Sequence, residues 1–416
     1  MTLTLYKPTY AQEIAAPTSK SAAHRLLIAA ALADTETTLF LRTVCDDTEK
    51  TADCLRALGA KITPITGGLH VRPVNRAALC KNPLLDCGES GSTLRFLLPV
   101  VAALGTGATF IRRGRLPARP LAPLDSLLQE KGAALTEDGA LLTVAGGITA
   151  GEYSIAANIS SQYISGLLFA LSLLDAPSTL TLTGEIESAP YIDMTLDTLR
   201  TFGAEPARQT ARCFCVSGSA RPLKSPKTVT VEGDFSGAAF PLAIGAVGSH
   251  SVTVTGLRQE TKQGDAKILD LLARFGAEVQ VTKDAVTVSP APLHGIQIDA
   301  TDIPDLVPIL AVVAAAAQGE TVITGAARLR LKESDRIATT AAMLRAVGAA
   351  VTVTDDGLRI CGGKPLKGST VDAAGDHRIA MSAAVLSLLT EGALTLTGAE
   401  TVSKSYPTFF KEVFLQ

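Results

Sequence analysis

The chain has no tryptophan, and phenylalanine and tyrosine bring its aromatic share to only 4%. Stacking platforms for single-stranded nucleic acid are therefore hard to build. A large charge of one sign is missing too: 38 Lys and Arg face 40 Asp and Glu, a formal net charge of −2. No global field draws such a chain to nucleic acid or anionic lipid, so any anion site has to be local. The longest apolar run, Leu306 to Ala317, is twelve residues and contains a proline. It falls short of the roughly 20 that span a bilayer, and no membrane association is expected. Leu26 to Leu32, after Lys20 and Arg25, imitates a secretory leader, but Glu13 and a strand-like segment come first. The seven cysteines include no C-x-x-C, and the five histidines no H-x-x-x-H. This usage fits a reducing cytoplasm and offers no zinc pattern. G-x-x-x-x-G-K-[ST], G-x-G-x-x-G and G-x-S-x-G are absent as well, which disfavours nucleotide and serine hydrolysis.

What is present is an ordered globular composition, 47% apolar and 19% charged over 416 residues, long enough for two or three domains. A phrase recurs along it: Leu55-Arg-Ala-Leu-Gly-Ala60, Leu128-Gln-Glu-Lys-Gly-Ala133, Leu199-Arg-Thr-Phe-Gly-Ala204, Leu272-Ala-Arg-Phe-Gly-Ala277 and Leu344-Arg-Ala-Val-Gly-Ala349. Its glycines at 59, 132, 203, 276 and 348 are spaced by 73, 71, 73 and 72 residues. Each phrase closes a segment of helical period, where a left-handed glycine stops the helix. Strand-like alternation and a turn follow, as in Val351 to Ile360, where Asp356-Gly357 marks a hairpin. Between phrases lies a second kind of helix, apolar nearly all round and hence buried: 26–32, 94–104, 164–174, 238–247, 306–317 and 379–389. A short strand follows it.

The unit of buried helix, strand, solvated helix and hairpin thus repeats six times. The sixth stops early, in the helical segment Thr408 to Gln416, so Thr2 to Tyr6 and Gln12 to Ala15 are expected to complete it. The expected organisation is one domain over 20–228 and a second over 1–19 plus 229–416, three units in each, with hinges near 19–20 and 228. Pro222 to Lys227 suits the second crossing.

The loops entering the buried helices carry the chemistry: Ser19-Lys-Ser-Ala-Ala-His-Arg25, Gly88-Glu-Ser-Gly-Ser-Thr-Leu-Arg95, Ser160-Ser-Gln-Tyr163, Gly233-Asp-Phe-Ser-Gly237, Ile303-Pro-Asp305 and Gly375-Asp-His-Arg378. Ser, Asp and Gly cap helices, which accounts for Asp234 or Ser236 taken alone. Capping does not ask for Lys20, Arg25, Arg95 and Arg378 in the first turns, where a cation opposes the helix dipole and calls for an anion. Arg328, Arg330 and Lys332 alternate with leucines, as cations on one face of a strand would, before Glu333-Ser-Asp-Arg336 opens a helix. Arg112, Arg113, Arg115 and Arg119 fill a Gly- and Pro-rich loop. So many loop cations in a chain of nearly zero charge point to a small, multiply charged substrate. Asp305 and Glu333 beside them are placed to move protons.

These motifs, with Pro17-Thr-Ser-Lys-Ser21, Leu116-Pro-Ala-Arg-Pro120, Lys332-Glu-Ser-Asp-Arg336 and Lys404 before Tyr406-Pro407, resemble the enolpyruvyl transferases, in the branch acting on shikimate 3-phosphate. The resemblance runs the whole length. It implies a two-domain inside-out α/β barrel of six βαβαββ units whose buried helices aim their N-termini at an interdomain cleft. It also implies transfer of the enolpyruvyl group of phosphoenolpyruvate to the 5-hydroxyl of shikimate 3-phosphate, through a tetrahedral ketal, on the route to chorismate and the aromatic amino acids. By the same resemblance, Lys20, Ser21, Arg25, Ser160, Ser161, Gln162, Ser188, Asp305 and Lys332 hold shikimate 3-phosphate. Lys20, Gly91, Arg119, Gln162, Arg336, Arg378 and Lys404 hold phosphoenolpyruvate. Asp305 and Glu333, with Lys20, are the candidates for proton transfer, and the pattern leaves open which carboxylate is base and which is acid. Small-molecule substrates, no metal or other cofactor, no nucleic-acid partner and a monomer are the family expectation. Gly91 matches the small residue of glyphosate-sensitive members, so glyphosate is expected to compete with phosphoenolpyruvate. Glu89 and Arg328 stand where members often place Asn. A sister transferase acting on UDP-N-acetylglucosamine commonly carries a Cys in the loop corresponding to 112–119, which has none here. A noncatalytic ring gripping nucleic acid would need a continuous basic lining rather than cations set beside carboxylates.

Overall fold

The computed structural model describes residues 1–218 and 223–414. Pro222 of the expected second crossing, and Leu415 and Gln416 of the expected terminal helix, lie outside the described residues. Twelve α-helices occur among the described residues: α1 (Lys20–Ala31), α2 (Asp46–Ala57), α3 (Gly91–Leu104), α4 (Leu124–Glu130), α5 (Ser161–Leu171), α6 (Ala189–Thr201), α7 (Phe235–Val247), α8 (Ile268–Phe275), α9 (Val307–Ala316), α10 (Arg336–Ala346), α11 (His377–Leu386) and α12 (Phe409–Val413). The odd-numbered ones are the helices without a polar face, and each is buried along nearly its whole length. Every Leu, Ile, Val or Phe so enclosed contributes roughly 1.5–3 kcal/mol of burial free energy. These helices therefore supply much of the cohesion of the fold.

The chain divides into two compact units, a continuous one, Lys20–Val231, and a two-segment one, Met1–Ser19 with Glu232–Gln416. Each has its own apolar core, one around α1, α3 and α5 and the other around α7, α9 and α11. The phrase glycines at 59, 132, 203, 276 and 348 all take positive φ, 110°, 113°, 72°, 113° and 87°. An L-residue with a Cβ strains there, which explains the glycine at the end of each solvated helix.

The repeat appears as four-stranded sheets, in which a strand entering a buried helix pairs in parallel with the strand leaving it. The hairpin then adds in antiparallel fashion, as in the sheet of 84–86, 108–111, 141–146 and 133–138. The hairpin at Asp356-Gly357 forms with Val353 opposite Leu358, so 354–357 make the loop. The sixth unit has a three-stranded sheet, and Thr2–Leu5 completes it antiparallel to Leu394–Thr397. The second N-terminal strand does not join it. Glu13–Ala15 lies parallel to Val252–Thr255 in the fourth sheet, while Thr228–Thr230 lies parallel to Thr37–Phe40 in the first. The two strands at the chain crossings have thus exchanged sheets, each serving a strand distant in sequence; alternation alone carries no such register information.

The strand expected at Arg328 to Lys332 is instead a 3-10 helix, Ala327–Leu331. Leu329 is fully buried and Leu331 is 50% exposed, so the leucines do not share a face and the three cations diverge. The terminal helix is shorter than expected, covering Phe409–Val413. Among the described residues no helix is long and apolar enough to cross a membrane.

Candidate active site

In the continuous unit the predicted residues collect at the starts of α1, α3, α5 and α6. Lys20 opens α1, and its Nζ lies 2.8 Å from Asp47 Oδ2 in the first turn of α2. One turn on, burial reinforced by the charges of Lys20 and Arg25 holds the His24 imidazole well below its usual range, hence neutral. Its Nδ1 is 2.7 Å from Thr51 Oγ1, which is 2.7 Å from Thr93 Oγ1, which donates at 2.7 Å to Ser90 Oγ. This chain of hydroxyls fixes α1 against α2 and the start of α3, and with them the Lys20 ammonium.

Arg25 is buried under neutral partners. Its Nε donates to Thr195 Oγ1 (2.8 Å), Nη1 to the Ser21 carbonyl (2.7 Å), and Nη2 to the Tyr191 carbonyl (2.9 Å) and Ser165 Oγ (3.2 Å). Its guanidinium also stacks 4.9 Å from the Phe96 ring. Among the described residues it forms no ion pair, and burial pushes it down to about 10. A buried cation with no counter-charge is costly, and a bound anion would relieve that cost.

Gln162, second in α5, accepts from Arg95 Nη1 at 2.9 Å and donates from Nε2 to Ser92 Oγ at 2.9 Å, tying the starts of α5 and α3 together. Ser160 caps α5, accepting from the Gln162 backbone N–H, and Ser161 is buried as its first residue. Ser188 precedes α6 with φ of 56°, a left-handed conformation uncommon outside glycine that fixes a buried hydroxyl-bearing residue at the helix start. Gly91 begins α3 beside two guanidinium groups: a Cβ there would sit 2.8 Å from Arg119 Nη1 and 3.0 Å from Arg95 Nη1. Two other arginines of that loop are structural. Arg112 is spent on Glu137 and the Gly139 and Leu141 carbonyls, and Arg113 on Asp86.

In the two-segment unit the predicted residues meet at the starts of α9, α10 and α11. Arg336 donates from Nη1 to Asp305 Oδ1 (2.7 Å), from Nη2 to Glu333 Oε2 (2.7 Å) and from Nε to Asp376 Oδ2 (2.8 Å). Burial alone would lower it, but Asp376, Glu333 and Asp305 outweigh that and keep it firmly cationic. Arg378 donates from Nη1 to the Ser236 carbonyl (2.8 Å) and from Nη2 to Asp305 Oδ2 (3.3 Å), while its buried Nε makes no hydrogen bond. Burial would raise the Asp305 carboxyl, but Arg378, Lys332 and Arg336 hold it far below the ordinary range. Lys332 Nζ is 4.0 Å from Asp305 Oδ1, and burial brings this ammonium down to about 8 against the pull of that carboxylate. Lys404 donates to the Gly375 carbonyl at 2.9 Å, just before α11. Arg328 and Arg330 turn elsewhere, to the Thr301 carbonyl and to Asp335 with the Thr354 carbonyl. At the far ends of α7, α9 and α11, Val247, Ala316 and Leu389 line one depression of about 440 Å³, while at the near ends Ser236, Asp305 and Arg378 are in contact. The buried helices of this unit therefore run in parallel, with their N-termini together.

Two carboxylates that set these cations do not stand out in the sequence. Asp47 holds Lys20, and Asp376, fully buried, holds Arg336 and caps α11 through the Arg378 backbone N–H at 2.9 Å. Asp376 stands inside Gly375-Asp-His-Arg378, where its cap position is the available signal. Asp47 lies 27 residues from Lys20 and looks like an ordinary first-turn acid.

The family model of EPSP synthase (3-phosphoshikimate 1-carboxyvinyltransferase) matches residues 8–413. A curated relative from Clostridium novyi (strain NT), named 3-phosphoshikimate 1-carboxyvinyltransferase, is 38% identical over 410 residues, covering 96% of this chain and 94% of its own. One of the same name from Clostridium kluyveri is 39% identical over 404 residues, with coverage of 96% and 93%. Among solved structures, an EPSP synthase from Acinetobacter baumannii superposes with a TM-score of 0.80 at 26% identity, over 99% of this chain and 97% of that one. With its six-unit repeat, its cation-lined helix starts and these relatives at full length, the chain belongs to the EPSP synthase family of enolpyruvyl transferases.

Proposed function

We propose that this protein transfers the enolpyruvyl group of phosphoenolpyruvate to the 5-hydroxyl of shikimate 3-phosphate, giving 5-enolpyruvylshikimate 3-phosphate and phosphate. The observation that carries the reading is the placing of buried guanidinium groups at helix starts, above all Arg25 with only neutral partners and Arg378 with an unbonded Nε. Both substrates bring a phosphate and a carboxylate, the charges such groups recognise.

In this reading Ser21, Arg25, Ser160, Ser161, Gln162 and Ser188, with Asp305 and Lys332, bind shikimate 3-phosphate. Gly91, Arg119, Gln162, Arg336, Arg378 and Lys404 bind phosphoenolpyruvate, and Lys20 reaches both. The reaction adds a proton to the methylene carbon and the 5-oxygen to the neighbouring carbon, forming a ketal. A proton then leaves the new methyl group as the carbon–oxygen bond to phosphate breaks. Asp305, held ionised by three cations, has no proton to give to carbon and is left as the acceptor of the hydroxyl proton, a role that needs the substrate anions to draw those cations away from it. That leaves Glu333, 2.7 Å from Arg336, or Lys20 to exchange the proton at the methylene. Arg119, Arg336 and Arg378 stabilise charge on the ketal and on departing phosphate.

The reading takes the protein as a cytoplasmic monomer without metal or organic cofactor, hinged near 19–20 and 228; its seven unbridged cysteines suit a reducing compartment. Phosphate release from phosphoenolpyruvate, measured with shikimate 3-phosphate or with UDP-N-acetylglucosamine as acceptor, tests it. Release with the first alone is expected; release with the second alone would overturn the assignment.

A further inference from the structure

At the start of α7 the protein itself answers the backbone donors. Phe235 N–H donates to Gln263 Oε1 (3.0 Å), Ser236 N–H to Asp234 Oδ1 (2.9 Å), and Gln263 Nε2 to the Gly233 carbonyl (2.8 Å). Ser236 Oγ donates to Asp265 Oδ2. Asp265 is 2% exposed, and its second oxygen, Oδ1, is buried without a hydrogen-bond partner. The carbonyl of the same Ser236 receives Arg378 Nη1 at 2.8 Å. One residue therefore separates an unsatisfied buried carboxyl oxygen from a guanidinium assigned above to substrate.

We propose that Asp265 is a positioning residue for Arg378, fixing through Ser236 the carbonyl that holds the guanidinium, and that its carboxyl takes a proton from solvent when an anion docks there. The proposal rests on the reading that phosphoenolpyruvate is that anion. A carboxylate with one buried oxygen unbonded is costly when charged. The charged groups facing it are Asp305 from the turn before α9, Arg378 from α11 and Asp234 from the cap of α7; Arg336, Lys332 and Glu333 stand behind Asp305. Burial, then Asp305, raises the carboxyl to about 7, while Arg378 and the Ser236 hydroxyl pull it down. An anion on Arg378 offsets the cation facing Asp265, so the carboxyl holds its proton more tightly in the complex. That proton settles on Oδ1 and removes a negative charge from beside the bound anion. By linkage, affinity for the anion falls as pH rises past about 7.

The test is the KM for phosphoenolpyruvate between about pH 6 and about pH 8.5 in wild type, Asp265→Asn, Asp265→Ala and Ser236→Ala. Asp265→Asn keeps an acceptor for Ser236 and removes the charge. It should bind more tightly than wild type at the high end, with the rise in KM across the range reduced roughly 3- to 10-fold, since one unit of pKa change is a factor of ten. Loss of a merely structural contact cannot tighten binding. Asp265→Ala should weaken binding throughout the range. Ser236→Ala retains the carbonyl but loses the bond favouring the charged carboxylate, so the pH at which KM rises should move upward. An Asp265→Asn profile parallel to wild type, or an unmoved break in Ser236→Ala, would overturn the proposal.

A ligand-free measurement separates this proposal from the activity reading. A carboxyl raised in the folded state stabilises the fold below its unfolded pKa, and that stability is lost as pH rises through about 7. The melting temperature of Asp265→Asn should therefore gain on wild type between about pH 5 and about pH 7 and hold level above, whether or not the protein releases phosphate; a constant difference across the lower range would reject the titration. A wild type that releases no phosphate would instead sink the activity reading.

Discussion

Gly91→Ala isolates the guanidinium pair at the start of α3. The backbone there is ordinary helix rather than left-handed, and alanine in place of glycine at a helical position gains up to about 1 kcal/mol, so the fold should not suffer. The new methyl group, however, would lie 2.8 Å from Arg119 Nη1 and 3.1 Å from Arg119 Cζ. Ordinary contact between such atoms is about 3.5 Å, so the guanidinium has to retreat by about 0.7 Å. A charge-assisted hydrogen bond stretched by that much gives up most of its roughly 1.5–3 kcal/mol, which is about 10- to 100-fold in affinity. Because Arg119 is assigned to phosphoenolpyruvate and not to shikimate 3-phosphate, steady-state kinetics should show the KM for the first rising by that factor. The KM for the second should stay within about twofold, a few tenths of a kcal/mol. An unchanged KM for phosphoenolpyruvate, or equal losses for both substrates, would refute the argument.

Further outcomes follow from the same geometry. Lys20→Met removes the ammonium held by Asp47 and should abolish turnover; near-normal phosphate release would take Lys20 out of the mechanism. Asp376→Ala strips Arg336 of its fully buried partner and should cost about 3–5 kcal/mol in denaturant unfolding; a loss below about 1 kcal/mol would show that Asp305 and Glu333 suffice. Lys332 is cationic below and neutral above about 8, so kcat/KM for shikimate 3-phosphate should fall as pH rises past that value. Lys332→Arg should carry the plateau to higher pH, and coincident profiles would exclude Lys332 from the site. Glyphosate should inhibit competitively against phosphoenolpyruvate, and undiminished turnover at high inhibitor concentration would reject this.

The legible part of this fold was the part written in local chemistry. Helices apolar all round, such as α9, have to be buried, and a glycine such as Gly276 at the end of a periodic segment needs no partner to be recognised. The exchange of Glu13–Ala15 and Thr228–Thr230 between sheets was hidden, because a three-residue strand pairs with whatever edge the chain crossing brings to it. The alternation Arg328 to Lys332 misled, since the burial of Leu329 is decided by tertiary packing and a 3-10 turn places its neighbours on diverging faces. At the candidate site the cations were visible because they oppose helix dipoles. Two of their counter-ions were not: Asp47 and Asp376 act on residues brought to them by other elements, and an acid at a helix start looks the same whether or not a cation lies behind it.

Addition followed by elimination makes the methylene carbon a methyl group for the life of the ketal, so turnover in heavy water tests the account most directly. With phosphoenolpyruvate and shikimate 3-phosphate, mass analysis should find deuterium in the methylene of the enolpyruvyl ether, with one phosphate released for each ether formed. An ether free of deuterium, or phosphate released without the acceptor, would contradict the account.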